Sequence, residues 1–314
     1  MIQRKVFPGF EASILAKMTG SDPAIQQAKQ EHFEAVHSFT FTEEYRVTEY
    51  MIPGVEGCGE RKLRIIALKD LEPGAPMILD IHGGAWISEG IEGDNFRAAN
   101  LAKAVPAVVG VIDYHGSKKT GIHFPIPLLE CAQAYQWMIR HAEEIGGDPN
   151  RIGIHGSSSG ANFAAGLALY LRDMEIQTPR LTVLNCPCVS THVAETQSFW
   201  QYRDLHPGNA APKLIVESIY LGGFDGTTPN YWAFPAEACS FEQLGPHFVI
   251  TAEYDTLRDD GLHYAMKLFS AGVPTELYSA PRVGHCFTGK PHPFTDQINE
   301  LMATSFRREF DMLG

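Results

Sequence analysis

Arg151-Ile152-Gly153-Ile154-His155-Gly156-Ser157-Ser158-Ser159-Gly160-Ala161-Asn162-Phe163-Ala164-Ala165 is the stretch that decides the fold. Ile152 and Ile154 alternate with small or polar neighbours, as in a short buried strand. Beyond Gly160, the residues Ala161, Phe163, Ala164, Leu167, Ala168 and Leu171 recur at helical spacing. A strand that runs straight into a helix through Gly-x-Ser-x-Gly holds its central serine in a sharp, strained turn with the hydroxyl exposed above the sheet. The flanking glycines are needed because a Cβ there would meet the neighbouring strand or helix. The plain alternative is a Ser/Gly-rich loop that merely turns the chain. The rest of the sequence must therefore supply what a nucleophilic Ser158 needs.

Acyl transfer by serine requires a base for the hydroxyl proton, an acid to orient that base, and N–H donors for the oxyanion. Upstream, Ile81-His82-Gly83-Gly84-Ala85-Trp86 offers the donors at a strand end: Gly83, Gly84 and Ala85, joined by the amide of Ser159. His82 is expected to hold this loop by hydrogen bonds rather than to act as the base, which should lie downstream of the serine. Downstream, Phe248-Val249-Ile250-Thr251-Ala252-Glu253-Tyr254-Asp255 leaves a strand with Asp255 just past its end. Asp259 and Asp260 fall at the start of the next helix, where the helix dipole favours acids. Glu253 is the competing carboxylate. His285, in Gly284-His285-Cys286-Phe287, follows a further strand and completes the order serine, acid, histidine.

Taken together, these motifs resemble the hormone-sensitive lipase-like family of α/β-hydrolases over roughly residues 75 to 290, with Tyr220-Leu221-Gly222 and Ala271-Gly272-Val273-Pro274 adding to the likeness. The resemblance implies an α/β-hydrolase fold: a mostly parallel sheet with helices on both faces, and a helical cap made of the N-terminal helices and an insertion after the sixth strand. It implies a serine carboxylesterase with Ser158, Asp255 and His285 as triad, and no cofactor. Two departures leave the backbone donors in place. Ala85 stands where the family has a third glycine, and Gly156-Ser157-Ser158-Ser159-Gly160 replaces Gly-Asp-Ser-Ala-Gly. A third departure, Tyr114-His115-Gly116-Ser117-Lys118-Lys119, bears on local packing and pocket shape. The His82–Trp86 loop also resembles the H-G-G-x-W loop of arylformamidases, so cleavage of a formylated aromatic amine is the alternative reaction. A non-catalytic ligand-binding protein on the same fold is the alternative outside catalysis.

The formal charge is -12, from 25 basic and 37 acidic residues, without a Lys/Arg run. That excludes nucleic acid and anionic membrane as expected partners and leaves a small-molecule ester substrate. No stretch approaches the ~20 apolar residues of a membrane span, and the first residues lack the apolar core of a signal peptide. The six cysteines are read as reduced and mostly buried, which suggests a cytoplasmic protein. No His-x-x-x-His or carboxylate cluster suggests a metal.

Strands are expected over Tyr45–Met51, Leu63–Leu68, Met77–Ile81, Ala107–Ile112, Leu181–Leu184, Phe248–Ala252 and Thr275–Tyr278, the first two as an antiparallel edge pair. Helices are expected within residues 1 to 38 and over Asn95–Ala104, Leu128–Ile145, Leu262–Phe269 and Phe294–Phe310. Residues 1–44 form a cap segment and 45–314 a catalytic domain, interrupted at about 192–236 by an aromatic insertion. That insertion reads as a lid, or else as a packing layer with no substrate role. Trp86, Trp200, Tyr220 and Trp232 are the candidate pocket residues. The closed, aromatic pocket they suggest points to short- to medium-chain esters. An exposed final strand and helix would permit a homodimer.

Overall fold

Period-2 apolar alternation along the strands sends successive side chains to opposite faces of a sheet, so each face needs a cover of helices. The computed structural model describes residues 22–203, 220–222 and 230–312. Eight strands form one sheet in the order β1-β2-β4-β3-β5-β6-β7-β8. They are β1 Tyr45–Ile52, β2 Arg61–Leu68, β3 Ala75–Ile81, β4 Val108–Ile112, β5 Gly147–Ser157, β6 Thr182–Asn185, β7 His247–Tyr254 and β8 Thr275–Gly284. β2 runs antiparallel to both β1 and β4, and every pair from β4 to β8 is parallel.

The principal helices are α1 Pro23–His37, α2 Asn95–Ala104, α3 Ile126–Arg140, α4 Ser159–Asp173, α5 Arg258–Ser270 and α6 Pro293–Glu309. One core lies between the sheet and α3, α4 and α5, where Met77, Leu79, Ile152 and Ile154 meet Leu128, Tyr135, Phe163 and Tyr264. The other lies under α2 and α6, where Ile78, Val109, Val183 and Ile250 meet Leu101, Ile298, Met302 and Phe306. Neighbouring residues of β3 thus enter different cores, Met77 and Leu79 the first and Ile78 the second. The chain leaves β3 to one side for β4 and returns to its other side as β5. At that reversal the carboxyl ends of β3 and β5 open a crevice, the usual ligand site of such sheets.

Several sequence expectations need correction. The helix expected over Leu128–Ile145 ends at Arg140, and a separate turn spans Ala142–Ile145. His141 makes the break: its Nδ1 bonds the Trp137 carbonyl at 2.9 Å and its ring stacks on Trp137. Gly146 ends that turn with φ +84°, but Gly147, Asp148 and Pro149 already belong to β5. β8 runs six residues beyond Tyr278, to Gly284. On β1, Val47 and Met51 face solvent, since this edge strand buries only its ends, Tyr45 and Ile52. The start signal at Ser21-Asp22-Pro23 does open α1, with the Asp22 carboxylate accepting from the Ala24 amide. Its Phe33 is nevertheless 57% exposed and stacks on His37 rather than entering a core. The part of the helices expected within residues 1 to 38 that precedes Asp22 lies outside the described residues. The cysteines are less buried than expected: Cys131 and Cys186 are buried, Cys58, Cys188 and Cys286 partly so, and Cys239 is exposed. Among the described residues, no helix is long and apolar enough to cross a membrane.

Candidate active site

Ser158 joins β5 to α4 with φ +57° and ψ -120°, a conformation that costs a non-glycine residue about 1–3 kcal/mol. The surroundings enforce it. The Ser158 amide donates to the Asn185 carbonyl of β6 at 2.9 Å. A Cβ on Gly160 would lie 2.1 Å from the Ile81 carbonyl oxygen, so α4 can pass the end of β3 this closely only through a glycine. Beneath the turn, the Asn185 side-chain amide donates to Thr288 Oγ1 at 2.7 Å and Ser157 Oγ at 3.3 Å. Ser157 Oγ in turn lies 3.3 Å from Cys286 Sγ.

The loop after β3 lies against this turn. A Cβ on Gly83 would sit 2.8 Å from the Ser157 carbonyl oxygen and 3.2 Å from Ser158 Cβ. Ala85 and Trp86 follow with φ +54° and +61°, so the alanine in the third-glycine position keeps the left-handed backbone. His82 holds the loop as expected: its Nδ1 bonds the Gly83 carbonyl at 2.7 Å, and its ring stacks on Tyr114. The Tyr114 hydroxyl donates to the His82 carbonyl at 2.9 Å. The amide of Ser159, first residue of α4, is one of the helix-start donors without an intrahelical acceptor.

His285 sits just past β8 and Asp255 just past β7. His285 Nε2 lies 2.8 Å from Ser158 Oγ, and His285 Nδ1 lies 2.7 Å from Asp255 Oδ2. Asp255 Oδ1 also accepts from the Leu257 amide at 3.0 Å. Burial works against an imidazolium here, but the adjoining Asp255 carboxylate outweighs it and raises the His285 pKa. The competing carboxylate, Glu253, turns away and accepts from the Arg282 amide at 2.8 Å.

Asp259 and Asp260 take a part that their positions in the sequence did not suggest. Asp259 accepts from the Ser198 amide at 2.7 Å, and Asp260 from the Val189 amide at 2.6 Å and the Ser190 hydroxyl at 2.5 Å. They pin Ser198 of the insertion, and Val189 and Ser190 just before it, to the start of α5 beside Asp255. Burial lifts Asp260 to about 6, against the pull of these donors. Asn162 is a further residue missed in the sequence. One turn past Ser158 and fully buried, its Oδ1 accepts from Trp86 Nε1 at 3.2 Å and the Tyr220 hydroxyl at 3.3 Å, while Nδ2 donates to the Ala233 carbonyl at 2.8 Å. A lone amide in the small, apolar run Ala161–Ala165 was the available signal.

The four aromatic candidates separate. Trp86 and Tyr220 stack at 4.7 Å between ring centres, both buried beside the 83–86 loop. Trp232 donates from Nε1 to Asp173 Oδ2 at 2.7 Å at the far end of α4, and its carbonyl passes Gly166 in the middle of that helix. Trp200 is 59% exposed. The structure therefore brings Ser158, His285, Asp255 and the 83–86 loop together with Tyr220, and leaves Trp232 apart. The stretches 204–219 and 223–229 of the insertion lie outside the described residues.

A family description, alpha/beta hydrolase fold, matches residues 78–289, more than half of the chain. The chain belongs to the alpha/beta hydrolase fold family. Esterase LipI of Mycobacterium tuberculosis is 28% identical over 223 residues, 68% of this chain and 66% of that protein, so the chain spans about two thirds of its length. The arylesterase of Saccharolobus solfataricus is 30% identical over 241 residues, 74% of this chain and 75% of that one. The solved structure of a bacterial heroin esterase matches with a TM-score of 0.82 at 27% identity, covering 95% of this chain and 96% of the other. Within the hydrolase family, this chain is a carboxylesterase.

Proposed function

We propose that this carboxylesterase cleaves short- to medium-chain esters through an acyl-enzyme on Ser158. The observation that carries the reading is the relay from the Ser158 hydroxyl through His285 to Asp255, with contacts of 2.8 and 2.7 Å. The hydroxyl donates to His285 Nε2, which takes the proton as Ser158 Oγ attacks the ester carbonyl. Asp255 accepts from Nδ1–H, holds that tautomer and stabilises the imidazolium. The amides of Gly83, Gly84, Ala85 and Ser159 are the donors for the oxyanion. The alcohol leaves with the proton from His285. Water then attacks the acyl-enzyme by the same route in reverse.

Residues 1–44 and the insertion at 192–236 form the cap in this reading. Asp259, Asp260 and Asn162 tether the insertion beside the relay, and Trp86 and Tyr220 fill space there. A cap so anchored limits the acyl pocket, and each further CH₂ adds about 0.8 kcal/mol only while there is room for it. kcat/KM should then peak at acyl chains of two to about six carbons. Six free thiols favour a reducing, cytoplasmic setting.

The test is fluorophosphonate labelling of the enzyme and of Ser158→Ala, followed by a nitrophenyl ester series of rising acyl length. Labelling lost in the variant, with a maximum among short esters, is the expected result. Undiminished labelling of Ser158→Ala, or a preference for emulsified long-chain triglyceride, would overturn it.

A further inference from the structure

Three strands that are neighbours in the sheet but far apart in the chain end side by side at the relay. Cys186 directly follows β6, Asp255 follows β7, and His285 follows β8, and these three strands pair in parallel. Their carboxyl ends bring a thiol, a carboxylate and an imidazole to one place. One donor atom from each lies within 4.8 Å of the other two.

We propose that Cys186, Asp255 and His285 form a site for a thiophilic divalent cation of the zinc class, and that its occupation shuts the esterase off. In a tetrahedral zinc site, bonds of 2.0–2.3 Å place the donors roughly 3.3–3.8 Å apart. The three groups reach that spacing by small side-chain movements: Asp255 and His285 part slightly from their 2.7 Å contact and the sulfur closes in. Backbone rigidity favours the arrangement. Cys186 has a left-handed backbone, φ +50°, and its amide donates to the Ile250 carbonyl of β7 at 2.7 Å.

A fourth donor is at hand. The Cys286 thiol shares a hydrogen bond with that of Cys186 and lies 3.3 Å from Ser157 Oγ. His285 is one-fifth exposed and Cys286 partly so, which gives the cation a way in. Mixed sulfur, nitrogen and oxygen donors suit zinc and cadmium, whereas magnesium and calcium favour all-oxygen sites.

The cation would take the place of the proton between Asp255 and His285, which moves to His285 Nε2, and the Cys186 thiol proton would leave to solvent. His285 would then be fixed to the metal and Asp255 no longer free to orient it, so Ser158 loses its base. The site is thus one of inhibition, built from the relay itself.

The purified enzyme is titrated with Co²⁺, and turnover of a nitrophenyl ester is followed under added Zn²⁺. A thiolate-to-cobalt charge-transfer band saturating at one equivalent is expected, with Zn²⁺ inhibition that EDTA reverses and that Mg²⁺ and Ca²⁺ do not cause. Cys186→Ala should weaken both cobalt binding and zinc inhibition at least about tenfold, since even groups behind a metal ligand are worth that much. Cys186→Ser, which keeps the side-chain volume, should do the same. Cobalt bound without the band, or zinc inhibition equal in wild type and both variants, would overturn the proposal, as would no inhibition at all. The cobalt band needs no turnover, so its outcome is independent of whether the Ser158 reading holds.

Discussion

The floor and the roof of the site are built on different principles. The floor, at the ends of β3 and β5, is backbone against backbone: Gly160 on the Ile81 carbonyl and Gly83 on the Ser157 carbonyl. Little there can yield, because the nearest neighbour of each glycine is main chain at the middle of a sheet. The roof, the described part of the insertion, hangs on side-chain anchors instead. Asp259 holds Ser198, Asp260 holds Val189 and Ser190, Asn162 holds Tyr220 and Ala233, and Asp173 holds Tyr231 and Trp232. A floor so made holds Ser158 without adjustment. A segment hung on separate polar anchors can change one contact at a time, so under the proposed reading specificity can vary while the chemistry stays.

The sharpest test of that contrast is at the nucleophile. Ser158→Ala should lower kcat/KM on a short nitrophenyl ester by ~10⁴-fold or more and leave the unfolding transition in place. If Ser157→Ala were the inactive variant and Ser158→Ala active, the turn has been misassigned. Next come two acids four residues apart. Asp255→Asn should cost on the order of 10⁴-fold, while Asp259→Asn, which only loosens Ser198, should cost far less. Equal losses would erase the distinction between relay and anchor.

At the floor, Gly160→Ala should destabilise the protein by ~3 kcal/mol through overpacking, read from the urea midpoint. A neutral effect would mean that α4 can retreat from β3.

The roof gives a pH-dependent signal through Asp260, held at about 6 by burial. An unfolded chain has this group near 3.9. Between those values the native state binds the extra proton, so this group's contribution to stability falls as pH rises from about 4 to about 6. Asp260→Asn lacks that slope. Relative to wild type, the variant should gain up to ~3 kcal/mol between pH 4 and pH 7 in urea unfolding. A constant gap between the two proteins would show that Asp260 does not titrate there. The smallest effect belongs to the far end of α4. Trp232→Phe removes a bond to the Asp173 carboxylate and should cost ~1–2 kcal/mol of stability with kcat/KM on short esters unchanged.

What could be read in advance follows how local each constraint is. The turn at Ser158 is set by five consecutive residues, since a strained serine between close-packed glycines is a property of the chain itself. The placement of Asp255 one step past β7 could likewise be read, because a strand end is marked by its own apolar run. Asp259 and Asp260 looked like ordinary helix-start acids, because their partners Ser198, Val189 and Ser190 lie some seventy and sixty residues upstream. The same holds for Trp232: its aromatic character marked it as a candidate pocket residue, but not which part of α4 it would meet. The break at His141 was hidden because the apolar period continues through it, and a ring stacked on Trp137 decides the matter.

By itself, the sequence determined the alternation of strand and helix, the turn at Ser158, and the order in which serine, acid and histidine arrive. Each of these depends on residues within a few positions of one another, where backbone sterics and apolar spacing act directly. Only the tertiary structure decided which of several acids faces His285, that Asn162 ties the oxyanion loop to the insertion, and that Cys186 stands beside the relay. Those relations depend on sheet order, which sets β6, β7 and β8 side by side although nearly seventy residues separate Cys186 from Asp255. Spatial neighbours across parallel strands leave no spacing in the sequence from which their meeting could be read.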